Sequence, residues 1–278
     1  MVLSHKPIAF AKMSGAGNDF ILIDNRDGRI GGEAADLARR VCLRRVSLGA
    51  DGLILIEESD QADFGWRFYN SDGSTAEMCG NGARCAARFA YYKGIAKRSM
   101  RFETLAGIIA AEVLEESVAI DLTPPGSLEQ DLILPLSKGT VRLDAIDTGV
   151  PHAVIFVDEL EGIDVVGIGR EIRRHPHFAP AGTNVNFALA PWTGHLKVRT
   201  YERGVEDETM ACGTGLTAAV LAAAARFGWE SPITVETRGG FRLKVGFQMT
   251  PDGFEGVRLQ GEARMVCEGD LGVDAWQY

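Results

Sequence analysis

A diverged internal duplication constrains this 278-residue chain more than any other feature, because a repeat of such length obliges two segments to adopt one fold. Met78-Cys79-Gly80-Asn81-Gly82 matches Ala211-Cys212-Gly213-Thr214-Gly215, and each block runs into an alanine-rich segment, with the cysteines 133 residues apart. Gly15 to Asp24 (GAGNDFILID) parallels Gly149 to Asp158 (GVPHAVIFVD) at an offset of 134, and Gly49 to Glu57 (GADGLILIE) parallels Gly182 to Ala190 (GTNVNFALA) at 133. Arg67-Phe68-Tyr69-Asn70 matches Arg199-Thr200-Tyr201-Glu202 at 132, and Glu103-Thr104 with Gly107 matches Glu236-Thr237 with Gly240 at 133. Five blocks in one order at nearly one offset are not coincidental glycine turns. The 33 glycines, about 12% of the chain against an average near 7%, reflect the same history, since many stand in duplicated turns.

The repeat divides the chain into lobes at 6–125 and 140–278, with 126–139 as a linker region after Thr123-Pro124-Pro125-Gly126-Ser127. Within each lobe the order of elements is the same. Phe20 to Ile23 and Leu53 to Ile56 read as strands in the first copy, and Val154 to Val157 and Phe187 to Leu189 in the second. A further strand, Trp66 to Tyr69 or Lys197 to Tyr201, enters a polar loop, and a helix begins just after each CGxG block. Gly94 and Gly228 suit the ends of those helices. Met100 to Thr104 and Ile233 to Thr237 read as strands turning at glycine into another strand. In the first lobe only, Glu33 to Val46 predicts an extra helix, with Ala34, Leu37, Ala38, Val41 and Cys42 on one face. The expected fold class is α+β: two homologous lobes related by a pseudo-two-fold axis, each a mostly antiparallel sheet or barrel around a central helix.

Composition narrows the function. Net charge is −9 with no basic block, which excludes the electrostatic footprint of a nucleic-acid binder and favours a small-molecule substrate. The longest apolar run, Ala218 to Ala225, is too short to cross a bilayer, and the region around Lys6 and Lys12 does not resemble an export signal, so a cytoplasmic protein without a membrane partner is expected. Five cysteines in a reducing compartment do not form a disulfide scaffold, and individual thiols need individual explanations.

A cysteine at a helix N-terminus lies among unsatisfied backbone N–H groups at the positive end of the helix dipole, which favours its thiolate. The flanking glycines let a carboxylate approach those amides. Each CGxG block thus combines a potential base with an anion cradle. If the lobes pack about a pseudo-two-fold axis, Cys79 and Cys212 stand on opposite sides of one ligand, the arrangement of a racemase or epimerase: one group removes the α-proton and the other delivers a proton to the opposite face. No flavin or pyridoxal motif is evident and no metal-ligand spacing surrounds either cysteine, so no cofactor and no metal are expected. Asn18, Asn70, Asn81 and Asn184 are uncharged groups suited to a zwitterion, Glu202-Arg203 can bind an amine and a carboxylate, and His152 can tune a nearby thiol.

Together KMSGAGNDFILID, GADGL, FYNSDGSTAEMCGNGARCAARF, TGVPHAV, GTNVNFA and YERGVEDETMACGTG resemble the diaminopimelate epimerase family over nearly the whole chain. The resemblance implies a two-lobed fold, a two-base thiolate/thiol mechanism without pyridoxal phosphate, interconversion of LL- and meso-diaminopimelate in lysine and peptidoglycan precursor synthesis, and a homodimer. It assigns Cys79 and Cys212 as the catalytic pair. Gly80, Asn81, Gly213 and Thr214 resemble the carboxylate cradle, Asn18, Asn70, Asn184, Glu202 and Arg203 resemble substrate-binding positions, and His152 and Glu202 resemble residues that adjust the cysteines. Val150 and Gly52 depart from the pattern, standing where many members have Asn and some have Gln. Two other readings share the cysteine pair: a related racemase of another amino acid such as proline or histidine, and a thiol-redox protein. Cys42, Cys85 and Cys267 are expected to be structural.

Overall fold

Strands buried on one face alternate apolar and polar residues, whereas strands buried on both faces read as unbroken apolar runs. The computed structural model, which describes residues 7–278, places the unbroken runs FILI and LILI in the middle of a layered unit. Residue 6, the expected start of the first lobe, lies outside the described residues. The chain forms two units, the first made of the described residues up to Ile120 together with Gly261–Tyr278 and the second of Asp121–Gln260.

The first unit contains β1 (Ile8–Gly15), β2 (Asn18–Asp24), α1 (Ala34–Val41), β3 (Gly52–Glu57), β4 (Phe64–Asn70), α2 (Gly80–Tyr92), β5 (Ser99–Thr104), β6 (Gly107–Val113) and β7 (Ser117–Asp121). These strands pair in chain order, antiparallel except for β2 with β3 and β4 with β5. Ile21, Ile23, Leu53 and Leu55 point to the α1 side, where they cluster with Ala34, Leu37, Ala38 and Val41. The alternate residues Phe20, Leu22, Ile54 and Ile56 are also buried, and α2 packs on β1, β2, β3 and β6. A helix touched by strands from both ends of a sheet is wrapped by it. The small buried residues of α2, Ala83, Ala86, Ala87 and Ala90, permit that close approach.

The second unit contains β8 (Glu129–Leu136), β9 (Gly139–Asp147), β10 (Pro151–Phe156), α3 (Val165–Arg173), β11 (Asn184–Trp192), β12 (His195–Glu202), the short β13 (Asp207–Thr209), α4 (Gly213–Phe227), β14 (Ile233–Thr237), β15 (Arg242–Thr250) and β16 (Gly253–Glu262), whose last two residues, Gly261 and Glu262, belong to the first unit. Its parallel pairs are β10 with β11 and β12 with β14, the positions equivalent to those of the first unit. Every residue of α4 from Gly215 to Ala224 is buried. A helix apolar all round belongs in a core, and α4 packs on β9, β10, β11, β12 and β14. The fold is α+β, and each unit is a mostly antiparallel sheet wrapped on one helix. No helix of the described residues is long and apolar enough to cross a membrane.

Three features differ from the sequence reading. The linker region 126–139 carries β8, which pairs with β9 and belongs to the second unit. The equivalent neighbour of β1 is β17 (Arg264–Leu271), so the last strand of the chain completes the first unit instead of the second. The extra helix is not unique to the first lobe, because α3 occupies the place of α1. Gly167 and Gly169 mask α3 in the sequence. Asp164 caps Gly167 N at 2.8 Å, and Val165, Gly169 and Ile172 face inward.

Gly169 owes its identity to packing, since an added Cβ would meet Tyr201 Cβ at 2.5 Å. Gly169→Ala is therefore expected to destabilise the protein by about 1–3 kcal/mol in chemical denaturation. Helix propensity alone predicts the opposite sign, a gain of about 1 kcal/mol.

Candidate active site

In the first unit the site assembles where three adjacent strands end. Parallel pairing sets Phe20 beside Gly52, and antiparallel pairing sets Gly52 beside Asn70, so Asn18, Asp51 and Asn70 share one end of the sheet. Cys79 is the N-cap of α2, in extended conformation, and its sulfur accepts from Gly82 N at 3.5 Å. Gly82 lets the helix start press against the sheet, with Ile54 and Trp66 against it. Asn81 Nδ2 donates to Asn18 Oδ1 at 2.7 Å, and Asn18 Nδ2 donates to Asp51 Oδ2 at 2.9 Å. The start of the helix is thus tied to the strand ends. Arg44 bridges Asp51 and Asp19, and its guanidinium together with the Lys12 ammonium outweighs burial and holds the Asp19 carboxyl below its ordinary value. Asn70 Nδ2 donates to Ser74 Oγ at 3.0 Å, which orders the loop that leads toward Cys79.

The second unit repeats the plan with different chemistry. His152 pairs in register with Asn184, and Asn184 Oδ1 accepts from Arg203 N at 2.7 Å, so His152, Asn184, Glu202 and Arg203 gather at the ends of β10, β11 and β12. Arg203 Nη1 donates to Ala181 O at 3.1 Å. Cys212 is the N-cap of α4, buried, with Thr214 Oγ1 at 3.5 Å from its sulfur. Burial, reinforced by the Glu202 carboxylate, pushes the Cys212 thiol up to about 12, against the lowering effect of Thr214 and of the backbone N–H groups of Thr214 and Gly215. Burial also raises Glu202. Thr148 Oγ1 donates to Thr214 O at 3.0 Å and fixes the first turn of the helix.

His152 is buried and neutral. Desolvation, with Arg203 adding to it, lowers its pKa to about 3. Asn186 Nδ2 donates to Ala153 O at 3.0 Å, which orients the amide, and the same group reaches His152 Nδ1 at 3.2 Å. The ring proton therefore sits on Nε2, which has no hydrogen-bond partner among the described residues. Any action of His152 on a thiol runs through hydrogen bonding and not through charge.

Every residue expected at the site thus falls in one of two clusters, Asn18, Asn70, Cys79, Gly80 and Asn81 in the first unit and His152, Asn184, Glu202, Arg203, Cys212, Gly213 and Thr214 in the second. Asp51, Arg84, Asn186 and Thr148 escaped sequence reading. Asn186 carried a signal, because Asn184 and Asn186 are two apart on a strand and a polar group inside an apolar run needs a partner. Cys42 and Cys85 are each raised to about 12 by burial, as befits inert core thiols, while Cys267 is exposed.

The family model described as diaminopimelate epimerase matches residues 10–126 and again residues 144–266, one match for each copy of the repeat. The chain is 45% identical over 281 residues to the diaminopimelate epimerase of Aquifex aeolicus, covering 97% of this chain and 99% of that protein. The enzyme of the same name from Archaeoglobus fulgidus is 42% identical over 288 residues, covering 98% and 99%. The chain belongs to the diaminopimelate epimerase family. It is thereby an isomerase. Among solved structures, a hydroxyproline epimerase from Agrobacterium vitis shares the fold with a TM-score of 0.68 at 17% identity, covering 98% of this chain and 94% of that one. A phenazine biosynthesis protein of the PhzF family from Bacillus anthracis does so with a TM-score of 0.72 at 15% identity, covering 96% and 99%.

Within this diaminopimelate epimerase family member, Gly52 has a packing reason. An added Cβ would run into the Phe68 ring and lie 2.6 Å from Tyr69 O, so no longer side chain fits without moving β4.

The neutral His152 makes a further expectation measurable. An unfolded histidine binds a proton near pH 6.5 and the folded ring only near 3, so the unfolded state gains protons as pH falls through that window and stability drops with it. Between pH 7 and 5 the wild type is expected to lose about 2 kcal/mol more unfolding free energy than His152→Gln. Equal losses in urea titrations of the two proteins would contradict the burial argument.

Proposed function

We propose that this chain epimerises LL-diaminopimelate to meso-diaminopimelate without a cofactor, Cys79 and Cys212 serving as the two bases. The observation that carries the reading is the paired N-cap: each unit wraps its sheet on one helix, and each such helix starts at a cysteine followed by glycine. The full-length similarity to enzymes of that name supports the substrate.

In this reading the backbone amides of Gly80, Asn81, Gly213 and Thr214 hold the carboxylate next to the reacting carbon. One cysteine thiolate takes the α-proton, and the electron pair left on carbon is delocalised into that carboxylate, where helix-end amides stabilise the growing charge. The other cysteine delivers its thiol proton to the opposite face, which inverts the centre and exchanges thiolate and thiol. Cys212 rests as the thiol, since burial and Glu202 both oppose its ionisation, so in this reading the resting thiolate is assigned to Cys79 by elimination. Asn18, Asn70, Asn184, Glu202 and Arg203 bind the rest of the zwitterion, with Arg203 suited to the distant carboxylate and Glu202 to the amine. Glu202 tunes Cys212 by charge, and His152 adds a neutral ring whose Nε2–H has no partner among the described residues. The product serves lysine and peptidoglycan precursor synthesis, and the enzyme works in the cytoplasm as a homodimer.

Cys79→Ala and Cys212→Ala should each lower kcat for LL-to-meso conversion by about 10²–10⁴ or more, as expected for loss of a positioned acid or base. Circular dichroism should remain that of the wild type. A folded variant that keeps most of its turnover would remove that cysteine from the mechanism, and faster turnover of proline or histidine would move the assignment to a related racemase.

A further inference from the structure

Arg84 has the greatest volume of the fully buried side chains among the described residues. A guanidinium remains charged in proteins, and burying one without a counter-charge is costly. Its position makes the cost larger, since it lies near the start of α2, where the helix dipole already favours negative charge. Nη2 donates to Asn81 Oδ1 at 2.6 Å, Nη1 to Gly80 O at 3.3 Å and Nε to Glu262 O at 3.3 Å, all of them neutral acceptors.

Three ionisable groups act on this guanidinium: Cys85 and Cys79 flanking it on α2, and Glu262 on β16. Burial keeps Cys85 protonated, and the Glu262 carboxylate lies 3.5 Å from Arg264. Ile54 and Trp66, which press on the helix start from β3 and β4, carry no charge. Glu262 Oε1 is buried without a hydrogen-bond partner among the described residues, so Cys79 and Glu262 are the two anions that can answer the buried cation. The hydrogen bonds also have a direction. Arg84 is only a donor, so it takes Asn81 Oδ1; Asn81 Nδ2 must then face Asn18 Oδ1, and Asn18 Nδ2 must face Asp51, whose carboxylate is only an acceptor. A cation at one end and a carboxylate at the other hold both amides in a single orientation.

We infer that Arg84 is a positioning residue for the Cys79 half-site, orienting Asn81 and Asn18 through this chain and holding a permanent positive charge that favours the Cys79 thiolate. The inference rests on the assignment of Cys79 as a base, yet its test in the free enzyme needs no substrate and so fails or succeeds separately.

The test is the pH dependence of alkylation by iodoacetamide, read at each cysteine by peptide mass spectrometry, in the wild type, Arg84→Gln and Asp51→Asn. Arg84→Gln keeps a donor for Asn81 and removes the charge. Its Cys79 midpoint should rise by about one pH unit or more, with the Cys212 profile unmoved and kcat/KM down about 100-fold. Asp51→Asn frees the amides to flip and leaves the cation in place, so it should lower kcat/KM about tenfold while leaving the Cys79 midpoint within about half a unit of the wild type. A folded Arg84→Gln with an unmoved Cys79 midpoint overturns the electrostatic role, and wild-type kcat/KM in Asp51→Asn overturns the orienting role. If Arg84→Gln does not fold, Arg84→Met decides the first point: a Cys79 midpoint raised by about one pH unit or more supports it, and an unmoved midpoint overturns it.

Discussion

The first turn of a helix exposes amides that no carbonyl within the helix can satisfy, and the residue that caps them sits in a positive potential. In this chain the same cap type, a cysteine before glycine, opens the central helix of both units. Much else follows from keeping those two starts at the ends of the strands. Alanine-rich α2 and α4 let the sheets close around them, the glycines at 82 and 215 let the first turns press on neighbouring side chains, and side-chain hydrogen bonds, one accepted by Asn18 and one donated by Thr148, tie each start in place. The helix end supplies anion affinity, and the sheet supplies its address.

Duplication gave both units one geometry, and divergence gave them different electrostatics. Around Cys79 stand amides and a buried guanidinium, and Asn81 and Asn18 link them to Asp51 of the Lys12–Asp19–Arg44–Asp51 charge cluster. Around Cys212 stand the partly buried Glu202 side chain, its pKa raised by burial, and a histidine kept neutral by burial. In the proposed two-base reading that inequality decides which cysteine holds the proton at rest. Asn186 shows how much structure one such choice requires. Its amide is fully buried, bonded to His152, Ala153 and Thr200, and an added Cβ at Gly215 would collide with its oxygen.

The repeat made the central part of this architecture legible in the sequence. Matching blocks at one offset located both helix starts, the glycine turns and the strands on either side, and the helix-cap argument gave the cysteines a role before any contact was known. What stayed hidden depends on long-range contact. Nothing local in Arg264–Leu271 says that it pairs with Ile8–Gly15 instead of the preceding strands. Two glycines conceal α3, whose inward face is legible only once Tyr201 is seen against Gly169. Arg84 reads as an ordinary exposed helix arginine until the sheet closes over it. Gly52, a departure from the family pattern by sequence, becomes a packing requirement of Phe68 and Tyr69.

The central claim is that separate groups remove and replace the α-proton, and its most direct test follows the fate of that hydrogen. LL-diaminopimelate carrying deuterium at the reacting α-carbon is converted in ordinary water, and the first few per cent of meso product is analysed for label at the inverted centre. Two opposed thiols predict product bearing solvent hydrogen there, with no retention of deuterium. Retained deuterium in that early product would mean that one group both takes and returns the proton, and would contradict the account.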